Sequence, residues 1–237
     1  MPTIKKRGSA VKIQQEQEIV TLAHKVQHVM AGYQRQLRVV VIAAAVVLVM
    51  IAGYAMFRSS QEQKAAPLVA AAYEFYSPAT GTSADYGKAL DLFRDVQKKY
   101  PNTTSGAVAQ YYVGNCLVSL GRADEALKEY QAFISKYSRD KYLRGLVYQR
   151  MAYVYEGQGK LDDARKAFEQ AEALTGPGVA TVELARLYEA AGNMPEAEGK
   201  YKIVMEKLGG TTWSMDAMGK VQKVMPAAKP GEAKATK

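Results

Sequence analysis

Apolar and polar residues along this chain alternate with helical periods, except in one stretch where polarity vanishes. From Val39 to Phe57 the chain reads VVVIAAAVVLVMIAGYAMF, nineteen residues without a charge. As a helix this run spans roughly 28 Å, the hydrocarbon thickness of a bilayer. It has no polar face, which argues against a buried core helix. Ahead of it, Ile19, Leu22, Val26, Val29, Tyr33 and Leu37 are three or four residues apart. That spacing predicts an amphipathic helix over residues 10–38, suited to a membrane surface, a short coiled coil or a docking partner. Behind it, apolar residues recur with the helical period in paired segments as far as Val224.

Those pairs repeat. Gly121, Gly159 and Gly192 each follow an apolar helical stretch. Ala126, Ala164 and Ala197 come five residues later, and Tyr130, Phe168 and Tyr201 four beyond that. An earlier unit keeps the second half of the pattern in Ala89, Phe93 and Pro101. Glycine supplies the positive φ that ends one helix and turns the chain. Asp124, Asp162 or Pro195 then opens the next helix, where a carboxylate or proline suits the free N–H groups. The alanine lets two helices approach, and the aromatic on the same face fills the gap between them. Each hairpin leaves an apolar face for its neighbour, so the units must stack.

This pattern resembles the tetratricopeptide repeat. The closest unit is YYVGNCLVSLGRADEALKEYQAF, from Tyr111 to Phe133, with Gly114 at the small-residue position that Ala152 and Ala185 take in the next two units. In the first unit the segment 77–83 replaces the short turn with a longer loop. The expected fold is all-α: a single N-terminal transmembrane helix, an α-solenoid of about four tetratricopeptide-like hairpins, and a C-terminal capping helix. The divisions are a basic, amphipathic head over 1–38, the transmembrane helix over 39–57, a linker over 58–65 and the repeats over 66–210. The cap covers 211–225, with Trp213, Met215, Met218 and Val221 as its apolar positions, and a disordered tail covers 226–237.

Charge orients this plan. The first 38 residues carry seven Lys and Arg against two Glu, a net of +5; the body from residue 58 carries 25 basic against 21 acidic residues. Positive charge in short segments stays cytoplasmic, so the head is expected inside and the repeats outside. In a bacterium that is a single-pass inner-membrane protein with a periplasmic repeat domain. A cleaved signal peptide fits poorly, because both the basic segment and the apolar run are too long. The high pI reflects membrane topology and attraction to anionic lipid, and no stripe of basic and aromatic residues suggests nucleic acid.

The sequence offers little chemistry. The lone Cys116 lies in an apolar helical pattern and reads as a small buried hydrophobe. His24 and His28 share a helix face but lack a third ligand. No phosphate-binding loop, nucleophile elbow or paired-cysteine motif is present. Asn102-Thr103-Thr104 matches a glycosylation acceptor but reads as the cap of the helix after Pro101. The expectation is a protein with no catalytic residues, no cofactor and no metal, whose partners are other proteins and, through residues 39–57, the bilayer.

Binding remains. The resemblance implies a concave groove lined by the first helix of each hairpin. It would present Tyr111, Asn115 and Ser119 in the second unit, Gln149, Tyr153 and Glu156 in the third, and Val182, Arg186 and Glu189 in the fourth. Asn115 matches a position at which eukaryotic repeats clamp a C-terminal carboxylate, but Tyr111 stands where that clamp needs a lysine. Such a groove suits extended or helical peptide segments. The layout resembles the bacterial ancillary Sec translocon subunit family, which implies handing emerging envelope proteins to chaperones. The competing expectation is a structural accessory subunit of another inner-membrane complex, such as a respiratory or secretion assembly; a cell-envelope coordinator is a third.

Overall fold

The computed structural model describes residues 7–79 and 82–224, with side chains over 33–79 and 82–221. Expectations resting on the side chains of the basic head, including His24 and His28, and on the tail over 226–237 lie outside the described residues. Among the described residues the fold is all-helical: α1 (Arg7–Tyr76), α2 (Tyr86–Lys99), α3 (Thr104–Ser119), α4 (Ala123–Lys136), α5 (Lys141–Gly157), α6 (Leu161–Thr175), α7 (Val179–Ala190), α8 (Met194–Lys207) and α9 (Thr212–Val224). The chain divides into two compact units, Met1–Ser59 and Ser60–Lys237.

In the first unit, every residue from Val39 to Phe57 is helical and exposed. Among the described residues α1 is the one helix long and apolar enough to cross a membrane. Residues 58–65, read above as a linker, are helical and lie within α1.

In the second unit, helical hairpins stack. The end of α1 pairs with α2: Asp85 N–H donates to Phe75 O at 2.9 Å, and Lys88 lies over the Phe75 ring at 4.0 Å. The pairs α3 with α4, α5 with α6, and α7 with α8 follow, and α9 packs on α8. The turns close as their sequence requires. Gly121, Gly159 and Gly192 have φ of +75°, +72° and +75°. At each, the next residue's N–H reaches back to the first helix: Arg122 to Leu117 O, Lys160 to Tyr155 O and Asn193 to Tyr188 O. This is the Schellman closure, which satisfies the last carbonyls and turns the chain within a few residues. Asp124 and Asp162 stand in the first turns of α4 and α6, and Pro195 in that of α8.

The small-plus-aromatic pairing is the packing rule of the core. Ala126, Tyr130, Ala164, Phe168 and Ala197 are fully buried. A Cβ on Gly114 would stand 2.2 Å from Tyr130 Cε1, so α3 comes against α4 only because Gly114 has no side chain. Cys116 is fully buried, and burial pushes its thiol up to about 12. The thiolate fraction at pH 8 is then on the order of one in ten thousand. Iodoacetamide is therefore expected to leave the native protein unmodified at pH 8 and to label Cys116 fully in denaturant; rapid labelling of the native protein would contradict this packing.

A second anchor ties α1 to α3. The Glu62 carboxylate accepts from Thr104 N–H at 2.6 Å and from Ser105 N–H at 3.1 Å, and also bonds the Ser105 hydroxyl. Thr103 Oγ1 caps the same helix by accepting from Gly106 N–H at 2.9 Å. A carboxylate borrowed from another helix thus holds the free N–H groups of α3. Glu62→Ala is expected to lower stability by about 1 kcal/mol, read as a fall in the melting temperature of the full-length chain in detergent; the neighbouring Lys64→Ala should leave it unchanged.

The cap is a helix, α9, whose buried face does not follow its largest apolar residues. Its buried positions are Ser214 and Ala217, with Val221 half-buried beside them, whereas Trp213, Met215 and Met218 are exposed, Met215 at 64%. The cluster that Ala217 and Val221 join also holds Ala185, Ala197, Tyr201 and Val204. Of the four apolar positions expected there, only Val221 packs on the core.

Candidate functional site

Hydrogen bonds between α3, α5 and α7 show that the first helices of successive hairpins lie side by side along one face. Arg150 Nε donates to Tyr111 Oη at 3.1 Å, from α5 to α3. Tyr153 Oη donates to Glu183 Oε1 at 3.0 Å, and Arg186 Nη2 donates to both Glu156 oxygens at 2.7 Å, joining α5 to α7. Arg186 Nε also donates to Glu183 Oε2 at 2.7 Å.

The nine residues expected along this face divide into four kinds. Tyr111 and Asn115 are nearly covered, at 8% and 5% exposure. Asn115 faces inward: its Oδ1 accepts from Tyr130 Oη at 2.6 Å. Burial raises the Tyr130 hydroxyl pKa well above its ordinary value, so the phenol stays a donor. Asn115 therefore serves the core, and its other surface is the floor of a cleft. Ser119 is exposed, and Gln149 and Tyr153 are half-buried. Burial first, and then Glu183, push the Tyr153 hydroxyl up to about 12. Glu156, Arg186 and Glu189 belong to ion pairs; Glu189 accepts from Tyr201 Oη at 2.7 Å and from Lys220 Nζ at 3.1 Å. Burial opposes the Arg186 charge, but Glu156 and Glu183 outweigh it and hold the guanidinium above its ordinary value. Val182 packs on the cluster of Ala185, Ala197 and Tyr201.

A cleft of about 130 Å³ opens on this face between the ends of α1, α3 and α5. Tyr76, Asn115, Val118, Ser119, Arg150 and Tyr153 line it. It brings together three of the expected residues, Asn115, Ser119 and Tyr153. It adds Tyr76, Val118, Arg150 and Val154, which the repeat pattern did not mark. Around it the aromatic rings interlock: Tyr112 lies 5.0 Å from Tyr76, 5.3 Å from Tyr73 and 5.2 Å from Tyr111, with edge-to-face geometry. Edge-to-face pairs of this kind hold side chains in place. Among the described residues no three His, Cys, Asp or Glu side chains gather as a metal site. The chemistry on offer is recognition by hydrogen bonds, aromatic faces and charge.

A stack of helical hairpins closed by glycine turns, with its first helices lining a tyrosine-rich face, defines an α-solenoid of the protein-binding kind. Residues 33–223 match the family described as the tetratricopeptide repeat-like domain, and the chain belongs to that family. The match takes in the apolar run together with the repeats. No curated protein matches the chain. Among solved structures it is similar to a tetratricopeptide repeat protein from Parabacteroides merdae, with a TM-score of 0.55 and 16% identity over 68% of this chain and 60% of that one. It is also similar to MamA, with a TM-score of 0.48 and 18% identity over 59% of this chain and 78% of that one. The first likeness shows the fold, and the chain spans 60% of that protein's length.

Proposed function

We propose that this protein is a membrane-anchored scaffold whose groove holds extended or helical segments of other proteins beside the bilayer. The observation that carries the reading is the union of two features in one chain. Nineteen exposed apolar residues from Val39 to Phe57 need a bilayer or partner helix to cover them, and a tetratricopeptide-like solenoid follows. The basic head supports a cytoplasmic N-terminus and an outward-facing repeat domain, which in a bacterium is periplasmic at the inner membrane. The layout supports an accessory role in protein translocation or envelope-protein chaperoning, as in the ancillary Sec translocon subunits it resembles. The mechanism is tethering: confining a weak groove beside its clients raises their effective concentration to about mM, so modest affinity suffices.

One observation favours a second reading, a permanent subunit of another inner-membrane complex. Trp213, Met215 and Met218 on α9 are exposed, as an interface residue would be before assembly. A mild-detergent pull-down of the full-length chain separates the two. The scaffold should bring translocon subunits and substoichiometric chaperones. A fixed-ratio set of unrelated membrane subunits would overturn the scaffold and establish the subunit.

A further inference from the structure

We propose that Arg150 makes the cleft between α1, α3 and α5 the seat for an Asp or Glu side chain within an extended partner segment. This rests on the reading of the groove as a peptide-binding face.

The argument begins with how charge is distributed along the face. Arg186 is neutralised by Glu156 and Glu183, and Lys220 by Glu189. Arg150 differs. Its one hydrogen bond is from Nε to the neutral phenol of Tyr111, and it forms no ion pair among the described residues. The Glu183 carboxylate, on the far side of Tyr153, is already taken by the Tyr153 hydroxyl and by Arg186. The guanidinium keeps its charge at all relevant pH and presents its remaining N–H groups as a planar fork that matches a carboxylate.

The surroundings strengthen the choice. Tyr76, Val118, Tyr130, Tyr153 and Val154 wall the cleft with rings and aliphatic carbons. An ion pair formed against such walls is screened less than one in open water. The volume of about 130 Å³ admits a carboxylate with its methylene stem. On the α7 side the face continues to Glu156 and Arg186, and on the α1 side Tyr76, which lines the cleft, packs against Tyr112. A chain can therefore pass through, and a side chain in its middle meets Arg150. Asn115 gives its Oδ1 to Tyr130, and its Nδ2 N–H groups are the part that a bound chain could meet.

The test is selection from two random peptide libraries on the full-length chain in detergent micelles. One library is joined to its carrier at both ends of the random segment; the other ends in a free C-terminal carboxylate. The doubly joined library should yield binders with Asp or Glu enriched at one position. Selection on Arg150→Gln should lose that enrichment while keeping the other preferences. An end-blocked peptide of the selected sequence should bind Arg150→Gln about tenfold more weakly, near the 1.4 kcal/mol that one charge-assisted bond contributes. Its Glu→Gln version should bind both proteins alike, and Arg150→Lys should recover part of the loss, which a folding defect would not allow. Binders without an acidic preference would overturn the proposal and leave the groove standing. Binders from the free-carboxylate library alone would overturn it in favour of a chain terminus. An absence of binders from both would overturn the proposal and the groove together.

Discussion

Tyr130→Ala is expected to cost about 4 kcal/mol, the scale of removing a large aromatic from a close-packed core. The residue is fully buried, its ring touches the backbone of α3 at Gly114, and its hydroxyl gives Asn115 its hydrogen bond. Tyr130→Phe isolates the last contribution. It keeps the ring, leaves Asn115 Oδ1 without its donor in a covered site, and should cost about 1 to 2 kcal/mol. Gly114→Ala tests the same contact from the other helix. A new Cβ 2.2 Å from the ring must displace it, at about 2 kcal/mol, despite the better helix propensity of alanine. With Tyr130→Ala already present the ring is gone, and Gly114→Ala should become neutral or stabilising. Denaturant titration of the four proteins gives this cycle, and additive effects would show that the two residues do not pack as described.

The second large effect concerns the apolar run. Arginine at the centre of a membrane helix costs about 3 kcal/mol, so Val46→Arg with Val49→Arg should cost about 6 kcal/mol in insertion, roughly four powers of ten. Wild type is expected in the carbonate-resistant membrane pellet and the double variant in the soluble fraction. The repeats should fold in both, because residues 39–57 lie in the first unit and the hairpins in the second. A double variant that stays in the pellet would remove the membrane from the account.

The fold was legible because its rules are local. A glycine with positive φ, a carboxylate or proline in the next turn, and an alanine paired with an aromatic each work within a single hairpin. Gly121, Asp124, Ala126 and Tyr130 therefore say in sequence what they do in space. For the opposite reason, the inward face of α9 was not legible. That face is set by tertiary contact with the cluster of Ala185, Ala197, Tyr201 and Val204, whereas hydrophobicity alone selects Met215 and Met218 over Ser214 and Ala217. The candidate site was legible only in outline. Repeat positions give the helix face, and Ser119, Tyr153, Glu156 and Arg186 lie along it. They could not show that Asn115 turns inward to Tyr130, because that bond joins two helices. Arg150 lay three residues before Tyr153, one turn along the same face, and that spacing was the available signal. Tyr76 was hidden by the irregular loop of the first unit, which obscures its register. Glu62 was visible as a charge beside the apolar run, and its role at the start of α3 depends on a contact across 42 residues of sequence.

The central claim is that the face formed by α3, α5 and α7 meets another protein at the membrane. Photo-crosslinking from single positions of the full-length chain in intact membranes tests it most directly. A photoreactive residue at Ser119 or Gln149 is expected to give discrete adducts with other proteins, and one at Lys166, exposed on α6, is expected to give none. Adducts from Lys166 with none from Ser119 and Gln149 would contradict the account and assign binding to the opposite face.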